Sequence, residues 1–239
     1  MKNKIISLVG MSGVGKTSFA GKLHPNSHFH YCVDYAIQEF YLKDSLENTG
    51  KSAINNLSAM ANFLGKIGDE KSGGMDYKTF CTRQDLYMNA EKNATLHLEN
   101  IAENLLEKYD FIINDLTGSI CEIVNFDDPN DRILQFLSRN TTILHIKTSD
   151  IYIFELVKIA MQNPKPLLYN RSFLDENIKY YQELQGFSEI DGVNPDDFFR
   201  FIFPRLIRNR AQKYDKFAAL GKSISLENFR NIANIHEII

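Results

Sequence analysis

Apolar residues along this chain follow two rhythms, and the rhythms alternate. Five short runs lack helical spacing: four apolar ones, Ile5-Ile6-Ser7-Leu8-Val9, Phe29-His30-Tyr31-Cys32-Val33, Phe111-Ile112-Ile113 and Ile143-Leu144-His145-Ile146, and a shorter one, Ser223-Ile224-Ser225. Their length and β-branched content predict buried strands near 4–9, 28–33, 109–115, 141–146 and 221–225. Between them apolar positions recur every three or four residues. That spacing predicts helices over about 17–23, 35–47, 52–67, 80–109, 129–139, 149–162, 171–185, 194–220 and 226–238. Pro25, Asn48-Thr49-Gly50, Gly68 and Asn163-Pro164-Lys165-Pro166 supply stops, and Pro195 suits the first turn of a helix. Strands alternating with helices predict a three-layer α/β fold: a five-stranded parallel sheet with helices on both faces. We expect one domain over 1–239, with a helical insert at about 40–80 and a second, lid-like insert at about 158–195.

The turn after the first run reads Gly10-Met11-Ser12-Gly13-Val14-Gly15-Lys16-Thr17. It fits the phosphate-cradling pattern GxxxxGK[ST], with the strand before it and the helix after it that the pattern requires. Its glycines let successive backbone N–H groups converge on one concavity, and the start of the helix adds partial positive charge. Gly10, Ser12, Gly13, Val14, Gly15, Lys16, Thr17 and Ser18 are the expected phosphate-binding residues. Lys16 would reach the β- and γ-phosphates, and the Thr17 hydroxyl would hold Mg²⁺.

Two acids follow other strands, and ligands on parallel sheets bind beyond the carboxyl ends of strands. Asp34 can hold or deprotonate a substrate hydroxyl, or cap the helix that follows. Asp115 can bind Mg²⁺ beside Thr17, or cap a turn. Asp115-Leu116-Thr117-Gly118 also spells DxxG, as in GTPases, but no NKxD signature follows it.

Composition narrows the partners. The 239 residues are 44% apolar, enough for a sizeable core, and the net charge of −3 argues against a nucleic-acid or polybasic membrane partner. No run approaches the roughly 18 apolar residues of a membrane helix. Cys32, Cys81 and Cys121 form no CxxC pair, as expected of reduced thiols in a cytoplasmic protein. The histidines show no metal-ligand spacing along the chain; His28 and His30 share one strand face and read as structural. Lys158, Lys165, Arg171, Arg205, Arg208 and Arg210 gather in the second half, either as a solvated face or as clamps for transferred phosphoryl charge.

Taken together, these residues resemble the shikimate kinase branch of the P-loop small-molecule kinases, within the nucleoside and nucleotide kinase-like P-loop NTPases. Asp34-Tyr35-Ala36-Ile37-Gln38 resembles that family's acid-x-x-Ile-Glu segment, and Thr49-Gly50-Lys51-Ser52-Ala53-Ile54 its TG[RK]SI turn. Lys165-Pro166-Leu167-Leu168 resembles the RPLL of its ATP lid, with Lys158 at another lid position. Arg210-Ala211-Gln212-Lys213-Tyr214 resembles its RAPLY segment, whose arginine meets an anionic group of the substrate. Departures are also plain. Cys32 stands where the family has the first acid of DxD, Leu116-Thr117-Gly118-Ser119 replaces a Gly-Gly-Gly loop, and Arg83 is the only candidate for a further substrate arginine. Extra sequence lies near 40–48, 56–76 and 169–191. The resemblance implies Mg²⁺- and ATP-dependent transfer to a small-molecule acceptor. Lys16, Asp34, Asp115, Lys165 and Arg210 would carry the chemistry, and Thr17 and Asp115 the metal. A nucleoside or nucleotide kinase, and a nucleotide-binding regulator without an acceptor, are the alternatives.

Overall fold

Five strands, β1 (Ile5–Val9), β2 (His28–Cys32), β3 (Phe111–Asp115), β4 (Thr142–Lys147) and β5 (Lys222–Ser225), form one parallel sheet in the order β2-β3-β1-β4-β5. A computed structural model describes residues 4–23, 28–47 and 57–232. The expected stops at Pro25 and 48–50, the 49–54 segment and the last part of the closing helix, 233–238, lie outside the described residues.

Every residue of β1 is buried, so both faces of the central strand are covered. This is the pattern of an all-parallel sheet. Register shows what covers each face. Tyr31, Asn114 and Ser7 are partners across β2, β3 and β1, and the Tyr31 hydroxyl donates to Ala94 O of α5 (Tyr77–Leu106) at 2.6 Å. On the same face His145 of β4 stacks on Tyr214 of α10 (Pro195–Ala218). The opposite face carries His28, whose ring lies 3.2 Å from Ala20 O of α1 (Lys16–Lys22). Phe19 of α1 in turn meets Phe229 of α11 (Leu226–Asn231) at 4.7 Å. Helix, sheet, helix is therefore the layering, with α5 and α10 on one side and α1 and α11 on the other.

The predicted helix over 35–47 is in three pieces: α2 (Val33–Ala36), a π-helical turn (Ile37–Tyr41) and α3 (Lys43–Glu47). Neighbouring side chains on a regular helix point apart. Here Phe40 and Tyr41 both reach His97, one stacked at 5.4 Å and the other with its hydroxyl 3.0 Å from Nδ1. The wider turn accommodates that double contact.

The remaining helices are α4 (Leu57–Leu64), α6 (Ile120–Ile123), α7 (Arg132–Asn140), α8 (Asp150–Gln162) and α9 (Arg171–Gln185). Asn170 caps α9, and left-handed Gly186 ends it. The short α6 has no counterpart among the sequence expectations. α10 continues through Pro204.

Two compact units divide the chain. Residues 1–41, 91–149 and 211–239 form the first, which holds the sheet; 42–90 and 150–210 form the second. The inserts expected at 40–80 and 158–195 fall largely within the second. Its core gathers Ile67, Phe80, Tyr169, Leu174, Phe198 and Ile202. Among the described residues no helix is long and apolar enough to cross a membrane.

Candidate functional site

The turn between β1 and α1 takes its shape from two left-handed glycines, Gly13 at φ 84° and Gly15 at φ 95°. Nothing crowds Gly15, so its backbone angle rather than lack of space calls for glycine there. Lys16 folds back over the turn, and its Nζ donates to Gly10 O at 2.8 Å and Met11 O at 3.3 Å. Burial pulls the Lys16 pKa down, and the charges of Asp115 and Asp34 oppose that fall.

Thr17, on the first turn of α1, donates its hydroxyl to Asp115 Oδ2 at 2.7 Å. Asp115 is the buried last residue of β3, and its Oδ2 also lies 3.2 Å from His30 Nε2. The β1–β3 register sets Asp115 beside Leu8, one residue short of the end of β1. The glycine turn and the acid thus leave the same edge of the sheet. A hydroxyl and a carboxylate form an all-oxygen donor pair, which suits Mg²⁺.

Asp34 lies in the first turn of α2, and the cap position belongs to Cys32. The capping alternative for Asp34 therefore fails, because the helix begins two residues earlier than expected. Burial pushes the partly buried Asp34 carboxyl up to about 6; Lys16 pulls it back and Asp115 adds to the rise. Near 6, a carboxyl exchanges its proton at neutral pH more readily than an exposed aspartate does. Burial also pushes the Cys32 thiol up to about 11. Backbone amides of Tyr35 and Asp34 oppose the rise, and the charges of Asp115 and Asp34 add to it.

The loop after β3 presses on the glycine turn. A methyl group at Gly118 would lie 2.7–2.9 Å from Ser12 N, Cβ and Cα, so only glycine permits this approach. The loop is held from behind. Ser119 Oγ donates to the fully buried Glu91 carboxylate at 3.0–3.1 Å, and Thr117 Oγ1 donates to it as well. Tyr214 donates to Gly118 O at 2.9 Å, and Lys213 pairs with buried Glu122 at 2.6 Å. The sequence reading assigned nothing to Glu91, Lys213 or Tyr214 as supports of this loop. An acid on a helix facing two hydroxyls beyond a strand end was the available signal.

Lys16, Thr17, Asp34 and Asp115 belong to the first unit; Lys165 and Arg210 belong to the second. Lys165 is exposed on the extended connection between α8 and α9. Arg210 is buried and donates to Leu168 O at 2.7 Å. The same connection is tied by Gln84, which donates to Leu167 O and accepts from Tyr169 N. Other members of the basic group also have local contacts: Arg171 pairs with Asp85, and Arg205 lies over the Tyr180 and Phe201 rings. Arg83 donates to Phe63 O.

The sheet also assembles a group that spacing along the chain does not reveal. His30 and Cys32 share a face of β2, and Cys32 is the register partner of Asp115. One donor atom from each of these three residues lies within 4.8 Å of the others. His30 Nε2 is 3.2 Å from Asp115 Oδ2. His30, read from its own strand as structural, thus faces Asp115 across the β2–β3 pairing.

No protein-family model matches the chain, and no curated protein matches its sequence.

Proposed function

We propose that the chain is a P-loop phosphotransferase that passes the γ-phosphoryl group of ATP, with Mg²⁺, to a hydroxyl of a small, anionic metabolite. The observation that carries this reading is the 2.7 Å hydrogen bond from Thr17 to Asp115 beside the left-handed glycine turn. Residues 98 positions apart supply the hydroxyl and the acid that P-loop proteins use together on one ion. The sheet order β2-β3-β1-β4-β5 and the sequence resemblance agree with it. Thr17 and Asp115 would hold Mg²⁺, which would supply positive charge to offset that of the phosphates.

The chain's own groups divide the rest of the work. Residues 10–18 cradle the phosphates through backbone amides, and Lys16 exchanges its two carbonyl partners for phosphate oxygens. Gly118 and its anchored loop keep the turn in shape. Asp34 orients the acceptor hydroxyl or takes its proton. Lys165, exposed on its connection, is the candidate charge clamp.

A second reading, a nucleotide-binding regulator without an acceptor, is favoured by one feature. Cys32 keeps its proton at neutral pH where the resembled family has an acid. The test is ATP consumption with Mg²⁺ against hydroxylated carboxylic acids, sugars and nucleosides, beside a melting titration with nucleotide alone. Acceleration by one acceptor class supports the kinase. A nucleotide-dependent melting shift with no responsive acceptor supports the regulator, and no shift at all overturns both.

A further inference from the structure

Strand geometry sets His30 and Cys32 side by side, because residues i and i+2 project from the same face. Pairing with β3 brings Asp115 level with Cys32 on that face. An imidazole nitrogen, a thiol sulfur and a carboxylate oxygen therefore converge within 4.8 Å of one another. Four-coordinate Zn²⁺ holds nitrogen and oxygen ligands at about 2.0–2.1 Å, which gives a tetrahedral edge of roughly 3.3 Å. The observed His30 Nε2 to Asp115 Oδ2 separation is 3.2 Å.

Donor chemistry narrows the ion. Mg²⁺ and Ca²⁺ are ligated by oxygen, whereas a mixed N, S, O set favours borderline transition ions. Three protein ligands leave one of four positions open, as in labile or catalytic sites rather than closed structural ones. A supporting contact is in place too: Thr17 Oγ1 donates to Asp115 Oδ2 and fixes the carboxylate, as outer-shell partners of metal ligands do.

The geometry points to a second cation site at His30, Cys32 and Asp115 that takes a Zn²⁺-class divalent ion with one position left open. Binding exchanges the Cys32 thiol proton for the ion, and that proton leaves to the buffer. The site stands independently of the nucleotide reading. One consequence rests on that reading: both ions would draw on the Asp115 carboxylate, so a Zn²⁺-class ion competes with Mg²⁺ and lowers Mg²⁺-nucleotide affinity.

Co²⁺ titration of the metal-free full chain without nucleotide, followed by absorbance, tests it. The expected result is one equivalent bound, with intense tetrahedral bands and a thiolate-to-cobalt charge-transfer band, all displaced by Zn²⁺. Cys32→Ser should remove the charge-transfer band, and Cys81→Ala should leave it. His30→Gln should weaken binding more than about tenfold, and Thr17→Val by roughly tenfold. A weak octahedral spectrum in the parent protein overturns the site even if Cys32→Ser does not fold. A charge-transfer band that survives Cys32→Ser overturns it as well. Cobalt bands that behave as expected, with nucleotide affinity unchanged by Zn²⁺, uphold the metal site and overturn only the competition for Asp115.

Discussion

Lys16 and Arg210 are both buried cations that donate to backbone carbonyls, and their surroundings differ in kind. Lys16 reaches carbonyls five and six residues back in its own glycine turn, and the acids Asp115 and Asp34 act on it. Arg210 reaches Leu168, forty-two residues away, on a connection that Gln84 also grips through two backbone groups. A lysine held by its own turn can trade those partners for a passing anion without disturbing distant structure. An arginine joining two separate segments cannot let go without loosening both. The neighbours of a cation, more than its burial, decide whether it works as a ligand-binding group or as a staple.

The largest expected effect tests the acids that set Lys16 apart. Asp34→Asn should reduce turnover by about 10²–10⁴-fold while leaving nucleotide binding intact, the usual scale for a positioned proton acceptor. Turnover within a few-fold of the parent would remove Asp34 from the chemistry. Next comes Lys16 itself. Saturation with Mg²⁺-ATP at about 100 times its dissociation constant should add about 2.7 kcal/mol, a melting shift on the order of 5–10 °C. Lys16→Met should erase most of that shift without lowering the melting temperature of the nucleotide-free protein, because it removes a desolvated charge.

Arg210→Met should behave the other way round. It leaves Leu168 O without a charged donor, a loss of about 2 kcal/mol and roughly 4–8 °C in melting. Faster hydrogen exchange at the Tyr169 amide should accompany it. An unchanged melting temperature with weakened acceptor binding would instead make Arg210 a clamp.

The smallest effect concerns His145, a buried base with no acid hydrogen-bonded to it among the contacts described. Burial lowers its pKa; Asp215 opposes the fall and Lys147 adds to it. The folded state therefore disfavours the proton, and the unfolded chain binds it near the ordinary value of about 6.5. Its contribution to stability is present above that value and is lost as pH falls through it. His145→Gln should narrow the difference in melting temperature between about pH 7.5 and 5, and an equal difference in parent and variant would refute the assignment.

What was legible in the sequence was local. The strand, glycine turn and helix around Lys16 follow from one unbroken stretch, residues 5–22, and the alternation of patterns yields a five-stranded parallel sheet. Asp115 stood out because an acid closed an apolar run. That Asp115 and Thr17 would share a site followed from strand ends; their direct contact depends on β3 lying next to β1, which spacing along the chain does not dictate. The same holds for Cys32 beside Asp115, and for Gly118 against Ser12: each needs a register or a loop path. The π-helical turn after Asp34 was hidden because its side chains answer to His97, fifty-six residues beyond Tyr41. Three-residue and four-residue spacing alone looks the same with or without that extra width.

The fit of Gly118 against Ser12 has a genetic side. Any glycine codon becomes an alanine codon by one base change, and the methyl so gained would meet Ser12 backbone at under 3 Å. The strands would keep their pairing and the two cores their packing, since neither involves that methyl. A lineage could thus lose the shape of the glycine turn in a single mutational step while still producing a folded protein. Reversion would need only the opposite base.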